Sequence, residues 1–439
     1  MKRLFLLFIF AAFISAQSFA APPRKAIIGA VVKPAAGGLR IDSIISGGTL
    51  DAMHLQKGDI IQSINGITVA TGADYSKAVS NIRTGDKLEI KFLRDGQVKE
   101  ELGMGVMRPY EHSEIADVRY DWVPFRAGSL RAITRVPKGK ANAPAILLIP
   151  GYGCGSIENY MSSYNGKIIN GWLNAGYAVV TIEKSGLGDS YNCVPCSEAD
   201  LATDIESYDA GYKYMEQLSY TDKTRLYIFG HSLGGIIAPE IAKRHIPKGV
   251  IVFGTTFRPW SEFLLEMQRV QKPLLEGKSY IETEDFLRGI QKVYYEFFVL
   301  KKTREELLAN PEYKPFVLGD LELKEGNNDM WGRSWKFWPQ IDSLNLAKSW
   351  QSLNCPVLVL HGETDYESCS IAEPKLITAA VNAAHPGNAT MLVIPQLDHF
   401  MMKSKTYEEA RDNFNSQQYS KGNFNYSIVT ETVNWLNGH

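Results

Sequence analysis

Two hydropathy rhythms divide the chain. Across residues 26–105, short β-type runs at 27–32, 39–44, 59–66 and 87–93 alternate with glycine-rich turns, and one helical stretch falls at about 75–82. Asn65-Gly66 and Asp95-Gly96 stand at strand ends, where tight hairpin turns need residues that accept positive φ. This stretch is expected to form a small, mainly-β module with its own core. After Arg108 the rhythm changes. Residues 117–124 and 130–136 read as a hairpin around Ala127-Gly128, followed by apolar runs at 145–149, 178–183, 225–229, 249–253, 356–360 and 391–394. Helical stretches at 168–175, 199–217, 234–244 and 371–383 separate them. Continuously apolar strands alternating with helices belong in a mostly parallel sheet covered on both faces. Residues 255–350 interrupt the alternation with mostly helical sequence that holds five of the eight tryptophans, and are expected to form a cap inserted between strands.

The first twenty residues follow neither rhythm. A cationic Met1-Lys2-Arg3, an unbroken apolar run at 4–14, and small residues at Ser18 and Ala20 form a secretory signal, with cleavage expected after Ala20. A membrane span needs about 20 apolar residues, and neither this run nor any later one reaches that length. The mature chain is therefore expected to be soluble, without a membrane span, and periplasmic or secreted. With 47 Lys+Arg against 48 Asp+Glu and a formal charge of −1, no basic field is available to attract nucleic acid. Aromatics at 11% exclude a mainly disordered chain.

An oxidising destination changes the reading of the five cysteines. Cys154, Cys193, Cys196 and Cys369 fall in loops, and Cys355 precedes an apolar strand. Four loop cysteines permit three pairings that spacing does not separate. Cys193-Val-Pro-Cys196 lacks the strand–helix surroundings of a redox motif, and no second ligand pair accompanies it to hold zinc.

The chemistry concentrates in Gly230-His231-Ser232-Leu233-Gly234, which lies between an apolar strand and a helix. A sharp turn there exposes the serine Oγ above the sheet, and the flanking glycines let the chain turn. Serine needs a base to take its proton and a carboxylate to orient that base. Among the eight histidines, His399 stands in a loop after the last strand, on the edge that carries the serine. His231 is adjacent to Ser232 and is set aside as unable to fold back onto it. Asp365 follows the preceding strand and is a candidate acid, with Glu363, Glu367 and Asp398 as rivals. The backbone N–H groups of Leu233 and Tyr152 are the expected oxyanion donors, Tyr152 lying in the glycine-rich Pro150-Gly151-Tyr152-Gly153-Cys154-Gly155. That loop lacks the lysine of a phosphate-binding loop and a G-x-G-x-x-G followed by a helix, so no nucleotide is expected.

These residues carry two resemblances. Gly58-Asp59-Ile60-Ile61-Gln62-Ser63-Ile64-Asn65-Gly66, with Ser46-Gly47-Gly48-Thr49-Leu50-Asp51-Ala52 before it, resembles a PDZ domain of the kind attached to exported bacterial proteases. Such a module adds a peptide to a sheet edge and holds its terminal carboxylate on backbone N–H groups. The resemblance places that loop at Ile28, Gly29 and Ala30. Used only as a spacer or dimer contact, the same fold would bind no peptide. From about 110 to 439, the order Ser232, Asp365, His399, together with Pro150-Gly151-Tyr152-Gly153 and Gly186-Leu187-Gly188-Asp189-Ser190, resembles the α/β-hydrolase family. The resemblance implies an α/β fold with a helical cap, and hydrolysis of an ester, thioester or peptide bond through an acyl-serine without a metal or cofactor, an ester or thioester being the first expectation. A peptidase of the same fold is the second expectation, and a PDZ-based scaffold with a vestigial site the third. The cysteines at 154, 193 and 196 depart from the family pattern and are expected to cross-link the rim of the site. Cap aromatics, above all 331–338, are expected either to pack the cap onto the sheet or to line an apolar pocket.

Overall fold

A computed structural model describes residues 22–323, 329–416 and 423–439. The expected signal segment lies outside these residues. The chain divides into two compact units, Met1–Pro109 and Tyr110–His439.

In the first unit, β1 (Ala30–Ala35), β2 (Gly38–Ile44), β3 (Ile60–Ile64), β4 (Ile67–Thr68), β5 (Lys87–Arg94) and β6 (Gln97–Met104) form one sheet. Its order is β1-β2-β3-β5-β6, with β4 paired to β3. Residues two apart on a strand face the same side. Leu88, Ile90 and Phe92 of β5 are accordingly buried together with Leu39, Ile41, Ile61 and Leu50. β1 starts three residues later than its apolar run, because the carbonyls of Ile27, Ile28 and Gly29 accept the N–H groups of Thr49, Leu50 and Ile45. That loop turns at Gly29, whose φ is +84°.

The second unit is built on an eight-stranded sheet. β7 (Ala116–Phe125) and β8 (Gly128–Pro137) form the predicted hairpin, followed by β9 (Ala143–Ile149), β10 (Ala178–Ile182), β11 (Thr221–His231) and β12 (Gly249–Phe253). A short pair, β13 (Asp329–Met330) and β14 (Arg333–Ser334), lies in the cap before β15 (Val357–Gly362) and β16 (Ala389–Ile394) complete the large sheet. The order β16-β15-β12-β11-β9-β10-β8-β7 is parallel from β16 to β10 and antiparallel at β8 and β7.

Alternation on β9 shows how both faces are covered. Ala145, Leu147 and Ile149 face one core, which includes helices Leu201–Gln217 and Gly234–His245, whereas Ile146 and Leu148 face the other. The second core is closed by Tyr164–Asn174 and by Ser427–Gly438, a helix the apolar pattern did not disclose. Trp172, fully buried there, donates its Nε1–H to Thr432 Oγ1 at 2.9 Å. Cap helices Trp260–Glu276 and Tyr280–Tyr294 place Phe263, Leu287 and Ile290 in the first core, continuous with Ile228 and Val250 of the sheet. Among the described residues no helix is long and apolar enough to cross a membrane.

Candidate active site

In open parallel sheets, functional loops gather at the carboxyl ends of the strands. Here those of β9, β11, β12, β15 and β16 converge. β11 ends at His231, and Ser232 follows with φ +55°, a left-handed conformation uncommon outside glycine. The strain is held from both sides: Ser232 N–H donates to Phe253 O, and Ser232 O accepts Gly235 N–H, each at 2.9 Å. A Cβ on Gly234 would stand 2.1 Å from the Ile149 carbonyl oxygen, and one on Gly230 would stand 2.5 Å from Gly234 O. Close backbone approach requires both glycines.

His399 lies in the loop after β16. Its Nδ1 is 3.0 Å from both Oδ1 and Oδ2 of Asp365, which follows β15. A carboxylate can only accept, so Nδ1 carries the proton and Nε2 is left as the acceptor. Burial disfavours the imidazolium, but the Asp365 charge and hydrogen bond outweigh it and hold His399 above the usual histidine range. Asp365 is fully buried, and burial opposes its charge. The contact with His399 and the Ser368 N–H at 2.7 Å more than offset this, leaving the carboxyl below its ordinary value. The rival carboxylates have other places. Asp398 ties its own loop by accepting from Phe400 N–H, Met402 N–H and Ser404 Oγ. Exposed Glu363 accepts Gln396 N–H, and Glu367 lines the cavity described below.

Two residues outside the expected set shape this pair. His231 Nε2 is 2.8 Å from the His399 carbonyl oxygen, so Nε2 donates and holds the loop of the neighbouring histidine. Its ring stacks on Phe253, and burial pushes its pKa down to about 3, so it stays neutral. Gly254, at φ +61°, leaves room where a Cβ would come within 2.8 Å of Asp365 Oδ2 and 3.0 Å of His399 Nδ1.

Ser232, His399, Leu233 and Tyr152 share the wall of a cavity of about 530 Å³. A Cβ on Gly151 would lie 3.3 Å from Ser232 Cβ, which puts the glycine-rich loop against the serine. The amide N–H groups of Leu233 and Tyr152 are hydrogen-bonded to none of the described residues. Trp260, Trp331 and Trp338 line the cavity, and Trp338 meets the Tyr152 ring at 5.2 Å. The cap aromatics therefore do both things expected of them, since Trp350 is buried in the core and Trp335 packs against it.

None of the three complete pairings open to the loop cysteines is formed, and Cys193 takes no part in the expected cross-link. Cys154 is bonded to Cys196, while Cys193, Cys355 and Cys369 are free. The bond ties the glycine-rich loop to the segment before helix Leu201–Gln217.

Comparison with known proteins agrees with this architecture. Residues 146–412 match the model of the alpha/beta hydrolase family, and residues 26–101 match that of the PDZ domain. Esterase EstD of Thermotoga maritima is 22% identical over 305 residues, covering 69% of this chain; the chain spans 64% of EstD. Among solved structures, Est1E from Butyrivibrio proteoclasticus is 17% identical, covering 68% of this chain and 98% of its own, with a TM-score of 0.39. A thermostable carboxyl esterase from Bacillus coagulans is 16% identical, covering 74% and 99%, with a TM-score of 0.45. The chain belongs to the α/β-hydrolase family and carries a PDZ domain ahead of its hydrolase domain.

Proposed function

We propose that the protein is an exported serine hydrolase that cleaves carboxylic esters or thioesters through an acyl-serine. The observation that carries this reading is the cavity wall itself, which a strained serine, a histidine oriented by a buried carboxylate and two amides hydrogen-bonded to none of the described residues share.

Ser232 Oγ attacks the acyl carbon as His399 Nε2 takes its proton, with Asp365 stabilising the imidazolium. The carbonyl oxygen becomes an oxyanion and is held by the N–H groups of Leu233 and Tyr152. Collapse expels the alcohol oxygen, which receives the same proton. Water, deprotonated by His399, then attacks the acyl-serine, releases the acid and restores Ser232. Trp260, Phe263, Leu264, Met267 and Trp338 make the cavity suited to an ester bearing an apolar or aromatic group. In the first unit, the unpaired edge of β1 and the loop at Ile28, Gly29 and Ala30 are read as a site for a peptide C-terminus. The disulfide accords with export to an oxidising compartment.

A fluorophosphonate probe should label folded wild-type protein and fail to label Ser232→Ala. Folded protein that remains unlabelled refutes the reading. Short-chain and aryl esters compared with aminoacyl amides then separate an esterase from a peptidase.

A further inference from the structure

The loop offering the Tyr152 amide is fastened from below by two buried basic side chains that the proposed reaction does not use. Lys184, two residues past β10, donates from Nζ to the carbonyls of Gly151 at 2.5 Å and Gly153 at 3.1 Å. Arg333 of the cap strand β14 donates from NH1 to the carbonyl between them, that of Tyr152, at 3.0 Å. Three consecutive carbonyls are thus held by two buried basic side chains, of which Lys184 has its pKa drawn down to about 7 by burial against the opposing charge of Asp204. When a carbonyl is fixed, the peptide plane it shares with the next N–H is fixed too. The Gly151 carbonyl belongs to the same peptide plane as the Tyr152 N–H, so Lys184 sets the direction in which that amide points.

The two basic side chains share one counter-ion. Asp204, fully buried on helix Leu201–Gln217, is 3.0 Å from Arg333 NH1 and 3.9 Å from Lys184 Nζ. Among the described residues no directed hydrogen bond reaches its carboxylate oxygens. Its charge is therefore balanced by the pair rather than consumed by a local cap. The Arg333 guanidinium lies over the Phe337 ring at 4.1 Å, and its NH2 reaches Ala199 O at 3.5 Å. Burial of an isolated cation is costly. Placing two here makes sense where a backbone shape must be fixed without solvent.

We propose that Lys184 and Arg333 are positioning residues for the oxyanion amide of Tyr152, with Asp204 as their common counter-ion, so that a cap residue helps to set the geometry of the catalytic loop. The inference rests on reading 150–155 as the oxyanion loop. It makes the cap part of rate control as well as substrate selection.

The test uses full-length protein and a small acetate ester. Lys184→Met and Arg333→Met should lower kcat about 10- to 100-fold, somewhat less than outright loss of an oxyanion donor, while KM changes by less than about threefold. Affinity for a trifluoromethyl ketone, which forms the tetrahedral oxyanion, should fall in parallel with kcat. Affinity for the product carboxylic acid should hold. Arg333→Lys keeps the charge facing Asp204 while losing the planar fork, and supplies a folded comparison if the methionine variants do not fold; it should show the same pattern with a smaller loss. Folded variants with wild-type kcat and ketone affinity overturn the inference, as does a loss confined to KM. If wild-type protein shows no Ser232-dependent labelling or ester turnover, the hydrolase reading falls and takes this inference with it. If it shows both, only the inference is at stake.

Discussion

Breaking the Cys154–Cys196 bond is the perturbation whose size can be worked out most directly. The cysteines are 42 residues apart in sequence. Closing a loop of that length removes conformational entropy from the unfolded chain worth about 4 kcal/mol at 25 °C. Cys154→Ser with Cys196→Ala removes the bond while leaving no hydroxyl at the buried position 196. Cys193→Ser is best included in both proteins, so that the free thiol does not re-pair. All eight tryptophans lie beyond residue 109, so intrinsic tryptophan fluorescence during urea unfolding reports the second unit alone. The variant should lose about 3–4 kcal/mol, seen as a lower midpoint. Because Cys154 lies two residues from Tyr152, kcat should fall as well, and reductant should reproduce both effects in the protein with the bond but not in the variant. A loss below about 1 kcal/mol, with the bond verified by peptide mapping, would refute the argument that this cross-link restrains the unfolded chain.

The acid limb of kcat/KM should have its midpoint above the ordinary histidine value of 6.5, because Asp365 raises His399 and only neutral His399 can take the serine proton; Asp365→Asn should lower the plateau and move that limb to lower pH. Gly254→Ala should cut kcat by at least about 100-fold in protein that still folds, since the added carbon meets both members of the carboxylate–histidine pair and displacements of about 1 Å carry losses of that order; near-wild-type kcat would count against the pair's role. Glu183 is fully buried, accepts from Ser156 Oγ and Ile157 N–H, and is pushed up to about 8 chiefly by burial. Its folded state therefore holds a proton that the unfolded state loses near 4.5, and stability falls as pH rises between those values. Glu183→Gln should escape that loss and gain on wild type by about 3 kcal/mol between pH 4.5 and 7, measured by denaturant midpoints; a pH-independent difference would contradict the assignment.

The central strands were legible because buried parallel strands are continuous apolar runs, and the strand–glycine–serine–glycine–helix junction at 226–237 admits few other shapes. Ser232, Asp365 and His399 lie together because strand ends, which the apolar pattern locates, carry them to one edge of the sheet. Contacts between distant segments were not legible. Nothing near Arg333 announces that it reaches the Tyr152 carbonyl, and spacing alone did not choose Cys196 as the partner of Cys154. His231 was set aside because it cannot turn toward its neighbour, yet its function in the fold is to hold a different residue, His399, through the backbone. The helix Ser427–Gly438 was missed since Thr430, Thr432, Asn434 and Asn437 dilute its apolar stripe. The shift of β1 to Ala30 follows from loop hydrogen bonds that hydropathy does not encode.

The shared core of cap and sheet has a consequence for how this domain is assembled. Phe263, Leu287, Trp338 and Trp350 belong to the same apolar cluster as Ile228 and Val250. Swinging the cap away as a rigid lid would expose that cluster to water at about 25 cal/mol for each Å² uncovered. Substrate exchange is thus a matter for side chains at the cavity mouth, and the cap melts with the sheet as one cooperative folding unit. Replacing it with the cap of a relative would be a redesign of the hydrophobic core, with every methylene along the seam counted in the result.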